Sequence, residues 1–171
     1  MQINGYDLVA PALTGESYSE AQALGSAVWL WMHSAQHRDI PLHALPTLLM
    51  PALKCGQFLI VSQHGRPIFY MSWANLSGEA ECRYIKNPSY TMPEQDWTSG
   101  ERLWVLDWIA PFGHTQDVMP LVRRHIFANK VVRALYHRGQ ERGMRIMQWR
   151  GIAVMREEEK YWDAIHPISE V

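Results

Sequence analysis

The residues best suited to proton transfer are one histidine and one carboxylate that lie far apart in the sequence. His37 stands in the segment SAQHR, three residues after Ser34, and Asp107 follows the apolar run RLWVL. A histidine oriented by an aspartate is a common general base. Aspartate is seldom buried without a partner. Asp107 is therefore either a structural acid satisfied by backbone donors or a carboxylate held in place for chemistry.

A second histidine raises the alternative of a metal site. His33 and His37 have the i, i+4 spacing that would place both on one face of a continuous helix. A metal ion would need a third ligand, and the chain has no HExxH glutamate. We therefore predict no metal site. A histidine at a helix end more often caps the helix or lies on the surface.

Other motifs are weaker or absent. The segment SWANLS (72–77) places Asn75 after an apolar run, where its side chain would cap a following helix. The segment RGQERG (138–143) is interpreted as a turn. The chain has no Walker motif, GxGxxG or GxSxG, and these absences argue against nucleotide-driven chemistry.

Composition indicates an ordinary globular protein: 47% of residues are hydrophobic, 19% are charged, and the net charge is −1. The sequence has no apolar run of about 18 residues that would span a membrane and no secretory signal pattern. The spacing of Cys55 and Cys82 matches no metal or redox motif. We therefore expect a cytoplasmic location with both cysteines as thiols.

Basic residues are concentrated late in the chain. Between positions 123 and 156 the only acid is Glu141, against nine basic residues: Arg123, Arg124, Lys130, Arg133, Arg138, Arg142, Arg145, Arg150 and Arg156. Such a segment suits an acidic partner, which could be a nucleic acid, a phosphate-bearing ligand or an acidic protein. A solvated basic face is the plainer interpretation.

Hydrophobic periodicity predicts the elements that must position these residues. Residues 1–17 are weakly patterned and are expected to form a loose leader. Helices are predicted over 17–33, 41–54, 75–86, 115–128 and 157–165, and the second should kink or break at Pro46 and Pro51. Strands are predicted over 57–62, 67–74, 102–107, 131–137 and 145–149. The pattern indicates a single α+β domain over 18–171 with a mostly antiparallel sheet flanked by helices.

Several long motifs together resemble the RTX toxin-activating lysine acyltransferases. They are SWANLS, DWTSGER (96–102) and LDWIAPFG (106–113), with the tryptophan-rich stretch 25–31 ahead of SAQHR. The similarity runs from about residue 24 to the last predicted helix. The chain departs from the family pattern at Ala35, where proline is usual, at Ile40, where tryptophan is usual, and at His114, where an acid is expected.

The resemblance implies a GNAT-like fold that moves a fatty acyl group from acyl-carrier protein to internal lysines of an RTX protoxin. It places the catalytic histidine at His37 and the catalytic aspartate at Asp107, with Ser34 supporting activity. Arg38, Trp73 and Asn75 lie in the same motifs and are predicted to support the site. It also implies acyl-acyl-carrier protein as co-substrate, no permanently bound cofactor and a homodimer.

The basic segment then has a predicted role. Carrier proteins are acidic, so Arg123, Arg124, Lys130 and Arg133 are predicted to form a docking face for acyl-carrier protein. Two alternatives remain open at this point. The segment 123–156 could bind nucleic acid, with tryptophans as stacking platforms, or the chain could be a catalytically inactive scaffold that binds a toxin.

Overall fold

The computed structural model of the chain describes residues 1–87, 92–138 and 141–168. The strands of these segments are β1 (Gln2–Ile3), β2 (Tyr6–Val9), β3 (Phe58–Gln63), β4 (Arg66–Leu76), β5 (Arg102–Ile109), β6 (Val131–Arg138) and β7 (Glu141–Arg150). The helices are α1 (Pro11–Thr14), α2 (Glu20–Met32), α3 (Leu45–Leu48), α4 (Met50–Lys54), α5 (Gly78–Lys86), α6 (Thr115–Leu121) and α7 (Arg156–Ile165). Short 3₁₀ helices span Leu42–Ala44 and Glu94–Thr98, and a π-helical turn spans Val122–Ile126.

Most of the described strand pairs are antiparallel. Strand β2 pairs with β1 and β3, and β3 pairs with β4, all antiparallel. Strand β6 pairs antiparallel with β7 and parallel with β5, where Trp104 lies opposite Arg133. The α+β class with mostly antiparallel strands is therefore confirmed. None of the described helices combines the length and the apolar character needed to cross a bilayer.

The chain forms two compact units, each assembled from two separate stretches. The first unit contains Met1–Trp73 and Asp107–Met119, and the second contains Ala74–Leu106 and the chain from Pro120 onward. The boundaries fall within β4, β5 and α6, so these three elements each contribute to both units.

Helix α2 supplies one side of the core of the first unit. The Ser19 side chain accepts a hydrogen bond from the Gln22 amide and caps the helix, which explains its start at Glu20. Apolar residues at helical spacing follow and are buried against β3 and β4. The packed set is Ala23, Ala27, Leu30, Trp31, Leu49, Leu53, Phe58, Ile60, Tyr70 and Ile109.

The loose leader predicted for residues 1–17 is wrong. Strand β2 pairs with β3 through Leu8 opposite Val61, and Leu8 and Ala10 are buried. Helix α1 follows and ends at Gly15, whose φ of +68° suits glycine. These residues are ordered because they extend the sheet at the edge of β3. A strand of only four residues shows too short a pattern for the sequence to reveal it.

The predicted helix over 41–54 is broken, as its prolines indicated. Pro46 and Pro51 lie in the first turns of α3 and α4, where the missing amide hydrogen is not needed. Asn75 was expected to cap the next helix, and this prediction is wrong. Asn75 belongs to β4, and the Ser77 side chain caps α5 by accepting from the Ala80 amide.

A buried ion network organises the second unit. The carboxylate of Glu81, which is fully buried, accepts hydrogen bonds from Arg102 Nη1 at 2.6 Å, Trp104 Nε1 at 2.7 Å and Arg133 Nη1 at 3.0 Å. Arg133 also donates to the His166 carbonyl at 2.7 Å. A buried charge is tolerated only when it is paired in this way. The network joins α5, β5, β6 and the end of α7.

The predicted hairpin of the second unit is confirmed as β6 and β7. Residues Gly139 and Gln140, which belong to the predicted turn, lie outside the described residues. Gly151 follows the last residue of β7 and lies close to the backbone of Phe127 and Ala128, which precede β6. A Cβ at this position would lie 1.9 Å from the Phe127 carbonyl oxygen and 2.2 Å from that of Ala128. Only glycine fits such a close approach of two backbones.

Candidate active site

A tight turn after α2 positions His37. The helix ends at Met32, and Ser34 O accepts hydrogen bonds from the amides of His37 at 3.1 Å and Arg38 at 2.9 Å. The imidazole of His37 packs on Trp31, with ring centroids 5.0 Å apart. The rigid helix end and the buried indole therefore fix the place of the ring.

One ring nitrogen of His37 is already engaged. The Ser34 hydroxyl oxygen lies 2.8 Å from Nδ1 of His37, a normal hydrogen-bond distance. Because Ser34 and His37 belong to the same turn, this contact is local and forms with the turn itself. The other nitrogen, Nε2, is left to face the rest of the site.

Strand alternation decides the direction of Asp107. Neighbouring side chains of a strand point to opposite faces. Trp108 packs edge-on against Phe69, with ring centroids 4.8 Å apart, whereas Ile109 joins the core beside α2. Asp107 shares the face of Ile109, which is the face that carries Tyr70 on β4. This explains why the Asp107 carboxylate, in a tryptophan-rich strand, lies near His37, which follows α2.

The two carboxylate oxygens of Asp107 have different neighbours. Oδ1 lies 3.7 Å from His37 Nε2, and Oδ2 accepts a hydrogen bond from Ser72 Oγ at 2.5 Å. The side chains of His37 and Asp107 retain 17% and 20% of their exposure, so solvent reaches both. A separation of 3.7 Å exceeds a hydrogen bond, so the partner that holds the imidazole in this structure is Ser34 and not Asp107.

Tyr70 completes the buried side of this cluster. It is fully buried on β4, two residues before Ser72 and on the same face. Burial raises the pKa of the Tyr70 hydroxyl well above its ordinary value, and the nearby Asp107 carboxylate raises this pKa further. The hydroxyl therefore stays neutral beside the carboxylate at every pH at which the protein is expected to work.

The structure brings together His37, Asp107 and Ser34, but not all the residues predicted to support them. Arg38 is exposed and lies 3.8 Å from Asp39, a surface pair that contributes little. Trp73 is buried on the face of β4 opposite to Ser72, and its backbone bonds to Gln57. It is therefore a core residue that is not directed toward Asp107.

Asn75 belongs to the second unit. Its carbonyl accepts a hydrogen bond from the Gly100 amide at 2.9 Å. The residue also lines an open cleft of about 690 Å³ within that unit, together with Lys130, Glu101, Glu158 and Trp162. These surroundings are polar and mixed in charge. Asn75 is therefore described with the second unit, whereas His37 and Asp107 belong to the first.

Three of the four predicted docking residues are available to a partner. Arg123, Arg124 and Lys130 are exposed in the second unit, and Arg123 Nε donates to the Arg150 carbonyl at 3.0 Å. Arg133 is 1% exposed and is bound to Glu81. Including Arg133 in a docking face was wrong, because charge count alone does not distinguish a buried arginine from an exposed one.

The pair of histidines considered as metal ligands does not share a helix. His33 caps the end of α2, and its Nδ1 lies 2.8 Å from the Trp29 carbonyl, whereas His37 lies in the following turn. In the segments that the structure describes, no cluster of three or more histidine, cysteine, aspartate and glutamate side chains could hold a metal ion.

Sequence reasoning missed Ser72, Tyr70 and Trp31 as parts of this site. Ser72 belongs to the SWANLS motif, in which Trp73 and Asn75 were the predicted site residues. The available signal was the alternation of β4, which makes Tyr70 and Ser72 neighbours on one face of a buried strand. A serine within such an apolar strand needs a buried partner for its hydroxyl, and Asp107 was the unexplained carboxylate.

Comparison with known proteins shows a clear family relationship. The model of the RTX toxin acyltransferase family matches residues 16–150. The leukotoxin-activating lysine-acyltransferase LktC of a Pasteurella haemolytica-like species (strain 5943B) is 45% identical over 93 residues, which cover 54% of this chain and 56% of that protein. Protein-lysine myristoyltransferase HlyC of Escherichia coli is 37% identical over 114 residues, which cover 67% of this chain and 66% of that protein.

The matched region thus spans between about half and two thirds of the length of these relatives. Among solved structures, the loading GNATL domain of CurA from Lyngbya majuscula is similar over 77% of this chain and 65% of that chain, with a TM-score of 0.48 and 10% identity. A likeness of this degree adds nothing to the description of the fold.

Proposed function

The chain belongs to the RTX toxin acyltransferase family, and from this premise we propose that it transfers a fatty acyl group from acyl-acyl-carrier protein to lysine side chains of an RTX protoxin. The names of its relatives support the reaction class, because they describe lysine acyltransferases and a protein-lysine myristoyltransferase. The observation that carries the proposal is the placing of His37 Nε2 beside Asp107 Oδ1, with Ser34 on the other ring nitrogen.

The acceptor amine sets the chemical problem. A lysine amine has an ordinary pKa of roughly 10.4, so near neutral pH it is almost entirely protonated and is not a nucleophile. A base must remove one proton, and imidazole is suited to this at neutral pH. In the proposed mechanism, Nδ1–H of His37 donates to Ser34 Oγ, which leaves the lone pair of Nε2 free to act as the base.

The 3.7 Å separation of Nε2 and Oδ1 suits a substrate ammonium group. A nitrogen placed about 2.8 Å from each atom would donate one hydrogen bond to the Asp107 carboxylate and one to the imidazole. The carboxylate attracts the cation, and the imidazole accepts its proton. Asp107 also stabilises the imidazolium that forms. Its proposed role is thus to bind the acceptor as well as to support the base.

The transfer itself needs no enzyme nucleophile, because a thioester is already activated. The neutral lysine nitrogen attacks the thioester carbonyl carbon, and a C–N bond forms. The carbon–sulfur bond then breaks, and the thiolate leaves with the proton that His37 took from the amine, while the second proton that the nitrogen loses on becoming an amide passes to solvent. An amide and a free thiol are the products, and His37 returns to its starting form.

The donor is proposed to dock on the second unit through exposed basic residues. Arg123, Arg124 and Lys130 provide positive charge for the acidic surface of a carrier protein. We also propose that the reaction takes place in the cytoplasm, where thiols such as those of Cys55 and Cys82 stay reduced. The homodimeric state stays a prediction, for which light scattering of the purified protein is the direct test.

Intact-mass spectrometry tests the proposed reaction. A candidate RTX protoxin is incubated with this protein and with acyl-carrier protein that bears a long acyl chain. We expect a mass gain equal to the acyl group, located on lysine by peptide mapping. The same incubation with His37→Ala or Asp107→Asn is expected to give almost none, and the exposed-site variant His43→Ala serves as the matched control.

The outcomes separate the enzyme class from the mechanism. A gain that survives His37→Ala would keep the acyltransferase assignment and reject His37 as the base. Absence of any gain, with every acyl chain and protoxin tried, would contradict the proposed function. The inactive toxin-binding scaffold would then be the preferred alternative if the protein still bound protoxin.

A further inference from the structure

Ser72 makes the direct hydrogen bond that holds the Asp107 side chain. Its hydroxyl donates to Oδ2 at 2.5 Å, whereas the histidine lies 3.7 Å from Oδ1, beyond hydrogen-bond distance. The direction of the carboxylate therefore depends on the serine and not on the histidine. Ser72 is fully buried, so water cannot replace its hydroxyl freely.

The backbone around Ser72 is rigid. Near Ser72, β4 pairs antiparallel with β3 without a break in register, with Ser72 opposite Phe58 and Tyr70 opposite Ile60, and the register shifts farther along, between Val61 and Ser62. Every residue from Ile68 to Ala74 is buried. The Gln57 carbonyl and side chain bond to the backbone of the next residue, Trp73. A hydroxyl on such a strand has a fixed position, which is what a group that orients a carboxylate requires.

We infer that Ser72 is a positioning residue, which fixes the Asp107 carboxylate so that Oδ1 stays directed at His37 Nε2 and at the lysine ammonium bound there. This inference rests on the proposed function for its catalytic consequence. Ser72 would touch neither substrate nor donor and would act only through Asp107. Without its hydroxyl, the carboxylate is free to rotate away from the acceptor amine.

Tyr18 provides the matched control within the same unit. Its ring packs edge-on against Phe58, the residue opposite Ser72 on β3, and its hydroxyl donates to the Leu53 carbonyl. Tyr18→Phe therefore removes a hydroxyl and its hydrogen bond from the same core without removing a hydrogen bond to Asp107. A general effect of losing a hydroxyl from this core would appear in Tyr18→Phe as well as in Ser72→Ala.

The kinetic test compares Ser72→Ala, Tyr18→Phe, Asp107→Asn and the double variant Ser72→Ala/Asp107→Asn. Misdirection of a catalytic group by about 1 Å can cost as much as a hundredfold, and we expect Ser72→Ala to lower kcat by roughly tenfold to a hundredfold. The KM for acyl-carrier protein should not change, because in the proposed mechanism the carboxylate binds the acceptor amine and not the donor. Tyr18→Phe should stay within about twofold of the wild type.

The double variant decides whether Ser72 acts through Asp107. If it does, Ser72→Ala should cause no further loss once Asp107 is already asparagine, since the two effects are then not additive. Full additivity of the two losses would overturn the inference. So would a Ser72→Ala enzyme with wild-type kcat, or one whose kcat falls no more than that of Tyr18→Phe.

A second readout does not depend on activity. Nuclear magnetic resonance of the imidazole protons of His37 reports the direction of the neighbouring carboxylate in the protein alone. We expect Ser72→Ala and Asp107→Asn to move these resonances in the same direction, and Tyr18→Phe to move them much less. Unmoved resonances in Ser72→Ala would reject the positioning role, whether or not acyl transfer is observed. Absence of transfer by the wild type would instead contradict the proposed function alone.

If Ser72→Ala does not fold, Ser72→Cys is the substitute, because it keeps the side-chain size and replaces the hydroxyl with a weaker donor. Its kcat is expected to fall below that of the wild type, with its thermal unfolding midpoint little changed. A Ser72→Cys enzyme with full activity and unmoved His37 resonances would show that the hydroxyl is not required.

Discussion

The Ser34 hydroxyl lies closer to the imidazole of His37, at 2.8 Å from Nδ1, than the Asp107 carboxylate does, at 3.7 Å from Nε2. The two neighbours therefore have separable roles. In the proposed mechanism, Ser34 selects the ring nitrogen that carries the proton, and Asp107 adds charge beside the nitrogen proposed to act as the base. The histidine would then receive its tautomer from its own turn and its electrostatic support from a distant strand.

Removing the base and removing its tautomer partner should have different effects on kcat. General-base catalysis contributes about a hundredfold to ten-thousandfold, so we expect His37→Ala to lower kcat by that range. Ser34→Ala keeps the base and should cost roughly tenfold, since an alternative tautomer becomes accessible. Single-turnover kinetics with acyl-carrier protein as donor measure both. A Ser34→Ala loss equal to that of His37→Ala would indicate that the Ser34 hydroxyl itself carries the acyl group.

Charge reversal at Arg124 and Lys130 tests the docking surface. Both are exposed, and neither makes the anchoring bond that Arg123 makes to Arg150. We expect Arg124→Glu/Lys130→Glu to raise the KM for acyl-carrier protein by roughly tenfold at low salt with little change in kcat, because such charges act mainly on association. The double variant Lys54→Glu/Lys86→Glu has the same net charge and should behave as the wild type. Equal KM values for both variants would reject a localised docking surface.

Loss of Glu81 should destabilise the protein severely. Glu81→Ala leaves Arg102 and Arg133 without their buried carboxylate and Trp104 Nε1 without its acceptor. Breaking a buried ion pair from one side costs about 3–5 kcal/mol, and we expect a loss of this size in the free energy of unfolding. Denaturant titration measures it. Glu79→Ala, an exposed change on the same helix, should cost less than about 1 kcal/mol.

Two glycine-to-alanine substitutions should act in opposite directions. At Gly151 the added Cβ would overlap the carbonyl oxygens of Phe127 and Ala128, so we expect poor folding or a large fall in the thermal midpoint. At Gly25, inside α2, the Cβ meets nothing within 4 Å. Alanine there should stabilise the protein by about 0.5–1 kcal/mol. Thermal unfolding of both variants checks the pair, and a stabilised Gly151→Ala would contradict the described contact.

Stability at high pH should depend on Tyr70. Because burial raises the pKa of this hydroxyl in the folded state, the unfolded state loses its proton first as pH rises above about 10. The unfolded state then binds fewer protons, so the free energy of unfolding falls, by at most about 1.4 kcal/mol per pH unit for this group. Tyr70→Phe should remove that part of the decline. Tyr161→Phe, at a side chain that is 69% exposed, should leave the decline unchanged.

Local sequence signals predicted the elements that have clear periodicity. The first long helix was expected over 17–33 and spans Glu20–Met32, since Ser19 caps it. The strands of the first hairpin were placed within two residues, whereas β7 begins at Glu141, four residues before its predicted start at position 145. The N-terminal strands were missed because their order depends on pairing with β3, a contact distant in sequence. Propensity carries no information about such partners.

For the candidate site, too, the sequence predicted some features and not others. His37, Ser34 and Asp107 were identifiable from residue type and family resemblance, and they do meet. Their mutual geometry was not predictable, because the 3.7 Å separation depends on how α2 and β5 pack. Ser72 was not predictable for a related reason: its hydrogen bond to Asp107 depends on how β4 and the end of β5 lie relative to each other. Arg133 was instead assigned a surface role that its burial excludes, since a sequence does not distinguish a buried cation from an exposed one.

Arg133 also joins parts of the chain that leave the ribosome at very different times. It connects Glu81, which is synthesised before Arg133, to the His166 carbonyl, which is synthesised after it. Until that carbonyl emerges, the guanidinium lacks one of its acceptors. Domains fold largely as units during synthesis, and we therefore expect the second unit to reach its native state only after α7 has left the ribosome. Premature termination before α7 should then yield a species that quality-control proteases remove.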